Sequence, residues 1–228
     1  MDTIQNNPGN YIAVGENIHT TRVLLRKGKR IEEADGQEVI LYEAADGASR
    51  RLPIPDSVKS TQDYDEGRVK HVKIALAAAM GGVAEEAASG LAYLRALALH
   101  QEQAGATYLD INVDEFSLKP SEQKAAMRWL VGAVQEMSKL PLSVDSSDVD
   151  VIRVGLEAYQ NTGTRPMLNS ASLERLEALD FAVIHNAEVV VTAAGESGMP
   201  SGTAERVANA SRMVEAALER GIALGDIH

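Results

Sequence analysis

The sequence predicts an α/β chain folded as a TIM-type (β/α) barrel, incomplete at its C-terminus, with a small β-meander insertion after the first strand. Three observations predict it. From about residue 105 onward, short apolar runs rich in β-branched residues alternate with helical stretches of roughly 10 to 18 residues, the mark of βαβ units and a parallel sheet. The runs are continuously apolar rather than alternating, as expected when both faces of a strand are buried. Five such strands can be counted, against the eight of a closed barrel. The competing arrangement is a five-stranded open sheet.

The elements follow in order. Tyr11–Gly15 is the first strand, and the Ala-rich stretch Ala84–Ala104 is the first barrel helix, leading through Gly105 into a second strand at Thr107–Val113. Ser121–Ser138 has apolar residues at helical spacing. Leu142–Asp145 is the third strand, and Ser147 is the expected N-cap of a helix over Val149–Gln160, with Gly163 just beyond its end. Arg165–Asn169 is the fourth strand, followed by a helix over Leu173–Phe181. Glu188–Thr192 is the fifth, and Thr203–Arg220 is a helix stopped by Gly221. The sixth strand is expected to begin at Gly225–His228.

All 228 residues read as one domain, with residues 22–62 inserted into it. Within the insertion, Arg22–Ile31, Gln37–Glu43 and Ala48–Ile54 are strand-like, and Asp35-Gly36 and Asp46-Gly47 are hairpin turns. Its arginines and lysines alternate with acids, as on a solvated face rather than a binding patch. A helix over Asp63–Ala79 is expected to bridge back to the barrel.

Composition excludes several functions. The formal net charge of −11 and an aromatic content of 4% argue against a nucleic-acid partner. The absence of cysteine excludes disulfides, thiolate nucleophiles and Cys-ligated metals. The five histidines show no HxH or HExxH spacing, so no zinc site is expected. Met1–Asn10 is polar without an apolar core, and no run approaches a membrane span. A cytoplasmic protein with no membrane partner is the expectation.

In parallel β/α folds, ligands sit at the carboxyl ends of the strands. The first strand leads into Glu16-Asn17-Ile18-His19, the second carries Asp110 and Asn112, the third ends in Asp145 and the fourth in Asn169. Carboxylates accept from an amino group and a ring N–H together, while carboxamides donate and accept. Such a mouth suits a ligand with many N–H donors. Asp110, between Leu109 and Ile111, has a competing reading as a buried structural acid. Ser147 and Ser172 are read as helix caps.

Five segments stand in a recognisable order: Gly15-Glu16-Asn17-Ile18; Leu109-Asp110-Ile111-Asn112-Val113; Pro141-Leu142-Ser143-Val144-Asp145-Ser146-Ser147; Leu168-Asn169-Ser170-Ala171-Ser172-Leu173-Glu174; and Gly198-Met199-Pro200 followed by Glu205-Arg206. They resemble the pterin-binding barrel family, which includes dihydropteroate synthase and the methyltetrahydrofolate-dependent methyltransferases that serve corrinoid proteins and methionine synthase. The Asp-Ile-Asn-Val of the second strand is closer to the methyltransferases than to the Gly-Gly-Glu-Ser run of the synthase.

The resemblance implies that Asp145 and Asn169 hydrogen-bond a pterin ring, that Asn112 lines the mouth, and that Asp110, Glu16 and Asn17 belong to the same substrate-binding set. It implies methyl transfer from N5-methyltetrahydrofolate to a corrinoid (cobalamin) carried by a partner protein. A dihydropteroate synthase-like enzyme and a degenerate, non-catalytic pterin-binding barrel are the alternatives. Two departures stand out. His19 occupies a position where the family usually has Asn. The family's sixth-strand acid and seventh-strand Asn have no counterpart in these residues, so turnover by this chain alone is not expected and no catalytic residue is assigned. The exposed strand edges of an open barrel lead us to expect a homodimer.

Overall fold

A computed structural model describes residues 12–81, 83–161 and 163–228 of the chain. After β1 (Val14–His19) comes the insertion: β2 (Leu24–Leu25), β3 (Ile31–Ala34), β4 (Gln37–Glu43), β5 (Ser49–Pro53), the short helices α1 (Asp56–Lys59) and α2 (Gln62–Asp65), and β6 (Arg68–Val69). The helices α3 (His71–Met80) and α4 (Ala84–Gln103) return the chain to β7 (Tyr108–Asn112). Then follow α5 (Pro120–Met137), β8 (Leu142–Asp145), α6 (Val149–Ala158), β9 (Met167–Ala171), α7 (Glu177–Ile184), β10 (Glu188–Val191) and α8 (Thr203–Glu219).

The main sheet is parallel with the order β1-β7-β8-β9-β10. Spatial order equals chain order, with no point where the order reverses. Doubly wound sheets reverse; barrels do not. The fold is therefore the TIM-type α/β succession, with five strands formed among the described residues. Beyond α8, Ile227 bridges Val189 in parallel, and His228 exchanges backbone hydrogen bonds with Val189 and Val191. The expected sixth-strand position is where this segment lies.

The meander β3-β4-β5 is antiparallel, and Asp35-Gly36 forms its first turn with φ of 53° and 80°. That left-handed pair matches the twist of a two-residue hairpin. Its apolar face, Ile40, Leu52 and Ile54, joins the same core cluster as the barrel residues Leu109, Ile111 and Val144. The β2–β6 pair closes the neck of the insertion.

Several elements differ from the sequence reading. The first strand runs to His19, and Tyr11 lies outside the described residues. Arg22–Ile31 is not one strand: a turn separates β2 from β3. The helix expected over Asp63–Ala79 is broken at Gly67, whose φ of 82° a helix cannot contain. The fourth strand lies two residues later, at Met167–Ala171. The helix after it starts at Glu177 because Ser172–Leu176 forms turns, and Ser172 caps nothing with its side chain. Asp148, not Ser147, caps α6 by accepting from the Asp150 N–H at 2.8 Å. No helix among the described residues is long and apolar enough to cross a membrane.

Candidate functional site

Strand register builds the site. His19 pairs with Asn112, Asn112 with Asp145, and Asp145 with Asn169, so one polar residue from each of four strands lies in a single row. Paired residues of parallel strands project to the same face. Asp110, two residues before Asn112, projects to that face one layer deeper.

The row is hydrogen-bonded through its side chains. Asp110 is fully buried; its Oδ2 meets Nε2 of His19 at 2.7 Å and its Oδ1 accepts from Nδ2 of Asn169 at 3.2 Å. Asn112 donates from Nδ2 to Oδ2 of Asp145 at 2.8 Å, while its Oδ1 accepts the Asp114 backbone N–H at 2.8 Å. The second bond fixes which end of the Asn112 amide faces Asp145. Asp114 is in turn held by the Ser146 hydroxyl and the Ser147 N–H, and Arg175 donates to the Ser146 and Ser147 carbonyls. Turn residues, Ser147 among them, thus brace the row from behind.

Asp145 keeps one oxygen, Oδ1, with no partner among the described residues. Burial pushes its carboxyl up to about 6, reinforced by the charges of Asp110 and Asp114 and opposed by the Asn112 hydrogen bond and His19. No Lys or Arg among the described residues pairs with Asp110, Asp145 or Asp114. A cluster of carboxylates without Lys or Arg partners favours a ligand that brings N–H donors or positive charge.

One nitrogen of His19 and one oxygen each of Asp110 and Asp145 lie within 4.8 Å of one another. A cation could span that distance. Both oxygens of Asp110 and Oδ2 of Asp145 are already held by side-chain donors, so the trio is a hydrogen-bonded network. Chain spacing of histidines had no means of showing this grouping, because it is assembled from three strands.

Of the six predicted site residues, the fold brings Asp110, Asn112, Asp145 and Asn169 together and adds His19. Glu16 and Asn17 lie elsewhere. The β1–β7 register shifts between Gly15 and Ile18. Within this bulge, Asn17 turns back to donate to the Leu97 carbonyl of α4 at 3.1 Å, and exposed Glu16 pairs with Arg22 at 2.8 Å. Both line a separate cavity of about 700 Å³ between the meander, β1 and α4. There Tyr93 Oη bridges Nδ1 of His71 and the Arg30 guanidinium, each at 2.9 Å. Burial, with Arg30 and Arg22 nearby, lowers His71 to about 4, and burial raises Tyr93 to about 12. Tyr93 thus ties the imidazole to the guanidinium here, while at the strand ends Asp145 Oδ1 stays open.

Comparison with known proteins identifies the family. The family described as "Pterin binding enzyme" matches residues 84–227. A methylcorrinoid:tetrahydrofolate methyltransferase of Eubacterium limosum is 27% identical over 143 residues, covering 60% of this chain and 50% of that protein. The methionine synthase of Mycobacterium leprae (strain TN) is 28% identical over 126 residues, covering 52% of this chain and 10% of that protein. Among solved structures, the 7,8-dihydropteroate synthase of Vibrio fischeri ES114 aligns with a TM-score of 0.48 at 18% identity, covering 60% of this chain and 54% of that one. The chain spans half or less of the length of the curated relatives it matches.

Proposed function

The chain belongs to the family of pterin binding enzymes, and on that premise we propose that its strand-end row grips the pterin ring of methyltetrahydrofolate for methyl transfer to a corrinoid protein. The observation that carries this reading is the four-strand row His19–Asn112–Asp145–Asn169, in which Asp145 has a free Oδ1 and no Lys or Arg partner among the described residues and so calls for N–H donors. Asp145 and Asn169 accept from the amino and ring N–H groups, and Asn112 and Asp110 position them. Glu16 and Asn17 are left out of the grip.

Support for the methyltransferase branch comes from the Eubacterium limosum relative, whose name pairs a methylcorrinoid with tetrahydrofolate. That name is written in the opposite direction. A site that stabilises the transition state serves both directions, so the same residues apply.

The chemistry explains why a grip alone is insufficient. A methyl group on a tertiary amine transfers poorly, because the amine would leave as an anion. Protonation of N5, or a hydrogen bond that strengthens as the bond breaks, removes that barrier. The corrinoid supplies the methyl acceptor and is carried by the partner protein. The chain holds the pterin, excludes water from its polar edge and exposes the methyl at the mouth.

Calorimetric titration with methyltetrahydrofolate tests the reading. Binding is expected, with a loss of about 30-fold or more in Asp145→Ala, the cost of removing a charged hydrogen-bond acceptor. Undiminished binding by Asp145→Ala, or none by the unaltered chain, would sink it. Condensation of p-aminobenzoate with a pterin pyrophosphate would instead point to a synthase.

A further inference from the structure

His19 is the residue in the mouth that the resemblance does not explain, and its setting is specific. It is 7% exposed, and its Nε2 is held at 2.7 Å by a carboxylate, Asp110, that is itself fully buried. Asp110 is locked from its other side by Asn169. A carboxylate bound to one ring nitrogen orients the imidazole, fixes its tautomer and stabilises the protonated ring. The other nitrogen, Nδ1, has no partner among the described residues and is not sealed in the core. His19 sits in the same row as Asn112, Asp145 and Asn169, so Nδ1 belongs to the space the ligand would occupy.

Asp145, the other titratable member of the row, is engaged with the N–H donors of the pterin in the reading above. Asn112 and Asn169 do not titrate, and both oxygens of Asp110 are occupied. Histidine is the side chain that exchanges protons near neutral pH. The titratable groups facing His19 are Asp110 from β7 and Asp145 from β8, with Asp114 in the loop that follows β7. On its own segment, Glu16 and Arg22 pair with each other. Beyond Thr20, Glu115 is paired to Lys70. The nearest neighbours, Asp110, Asp145 and Asp114, are thus carboxylates, and no Lys or Arg among the described residues pairs with them.

We propose that His19, oriented by Asp110, is the proton donor of the site: its Nδ1–H is transferred to N5 of the bound pterin. The inference rests on the pterin reading above. The imidazolium gives its Nδ1 proton to N5. As the methyl carbon bonds to the corrinoid acceptor, the C–N5 bond breaks and its electron pair stays on N5, which retains the proton as N–H. The imidazole is left neutral, with Nε2–H donating to Asp110. In the reverse direction the proton returns to Nδ1. His19 touches the substrate, while Asp110 is a positioning residue.

Two measurements test this. In the free protein, long-range ¹H–¹⁵N spectra should show the neutral His19 ring protonated at Nε2 with Nδ1 bare; the opposite tautomer overturns the proposal. In the second, methyltetrahydrofolate is titrated calorimetrically near neutral pH in two buffers of different ionisation heat. The unaltered chain should take up a proton on binding. His19→Asn, which restores the family's usual residue, and His19→Gln should still bind but lose the linked proton. An unchanged proton count in both variants overturns the proposal while leaving the pterin reading intact. Loss of the linked proton in Asp145→Asn instead makes Asp145 the donor and also overturns it. If the unaltered chain binds no pterin at all, both readings fall together.

Discussion

Two histidines are buried in this molecule in nearly opposite surroundings. His71, behind the meander, bonds Tyr93 and lies near Arg30 and Arg22, which with burial keep it neutral. His19, at the strand ends, bonds a buried carboxylate and faces a second one. In the first region the Tyr93 hydroxyl joins the imidazole to the guanidinium and fastens the meander to α4. The second leaves Asp145 Oδ1 and His19 Nδ1 open. What separates a latch from a site is therefore not burial or polarity, which the two share. It is the charge beside the buried histidine, guanidinium groups near His71 and carboxylates near His19.

The largest effect that would break this contrast lies in the latch. Tyr93 is fully buried, packs edge-on against Tyr42 with ring centroids 4.8 Å apart, and carries the hydroxyl on which His71 and Arg30 converge. Tyr93→Ala is expected to cost about 3–5 kcal/mol, as for other large aromatic truncations. Thermal or denaturant unfolding measures it. Tyr93→Phe should cost less, on the order of 1–3 kcal/mol, by leaving Nδ1 of buried His71 without its partner. Any Tyr93 variant that still folds should bind methyltetrahydrofolate normally. If binding fell with stability, the two regions would not be separable.

The next effect is a stability slope with acid. Burial holds His71 neutral down to about 4, whereas in the unfolded chain it titrates near 6.5. Between those values the unfolded state binds the extra proton, so stability is lost as pH falls from about 6.5 toward 4. The slope amounts to on the order of 2–3 kcal/mol. His71→Gln should flatten it. Denaturation midpoints measured every half pH unit decide the point.

Asp145 should behave in the reverse sense. Its carboxyl titrates near 6 in the fold against 3.8 when free. The folded state now holds the extra proton, so stability is present below about 4 and is lost as pH rises through 6. Asp145→Asn should therefore gain about 1–3 kcal/mol at pH 7 and almost nothing at pH 4. A stabilised variant that binds pterin weakly would mark the residue as placed for the ligand rather than for the fold. A variant destabilised at pH 7 would count against that.

The sequence carried the latch and the site unequally. Parallel strands announce themselves as apolar runs, and their polar terminal residues are visible at once, so Asp145 and Asn169 were legible. Asn112 and Asp110 were legible for the same reason, although nothing along the chain showed that Asp110 would be shared between His19 and Asn169. That sharing spans β1, β7 and β9. Glu16 and Asn17 were misdirected because a one-residue bulge in β1 rotates them off the row, and strand periodicity holds no record of a bulge. His19 was noticed only as a departure. The break at Gly67 had a signal, the glycine itself, in a stretch otherwise read as helical. The latch was not visible, since His71, Tyr93 and Arg30 come from three segments separated by dozens of residues.

The smallest expected effect concerns the exposed face of the meander, and it tests whether the ion pairs there only pair with one another. Arg26, Arg50 and Arg51 looked like a possible basic patch until charge interleaving argued for a solvated face. In the fold they pair with Glu38, Asp46 and Glu32 at 3.1, 2.7 and 3.1 Å, all on exposed or half-exposed side chains. Exposed pairs contribute roughly 0.2–1 kcal/mol, and salt screens them. Arg51→Ala should therefore lower stability by about 0.5 kcal/mol or less in dilute buffer and by nothing measurable in about 1 M salt, with pterin binding unchanged. Urea midpoints at the two salt concentrations are sufficient to read it. A salt-insensitive loss would mean that Arg51 does more than pair with Glu32. A loss of methyl transfer to the corrinoid protein, with pterin binding intact, would make this face part of the partner interface despite its internal pairs, because a partner can exchange exposed ion pairs at little cost while the buried latch behind them cannot be exchanged.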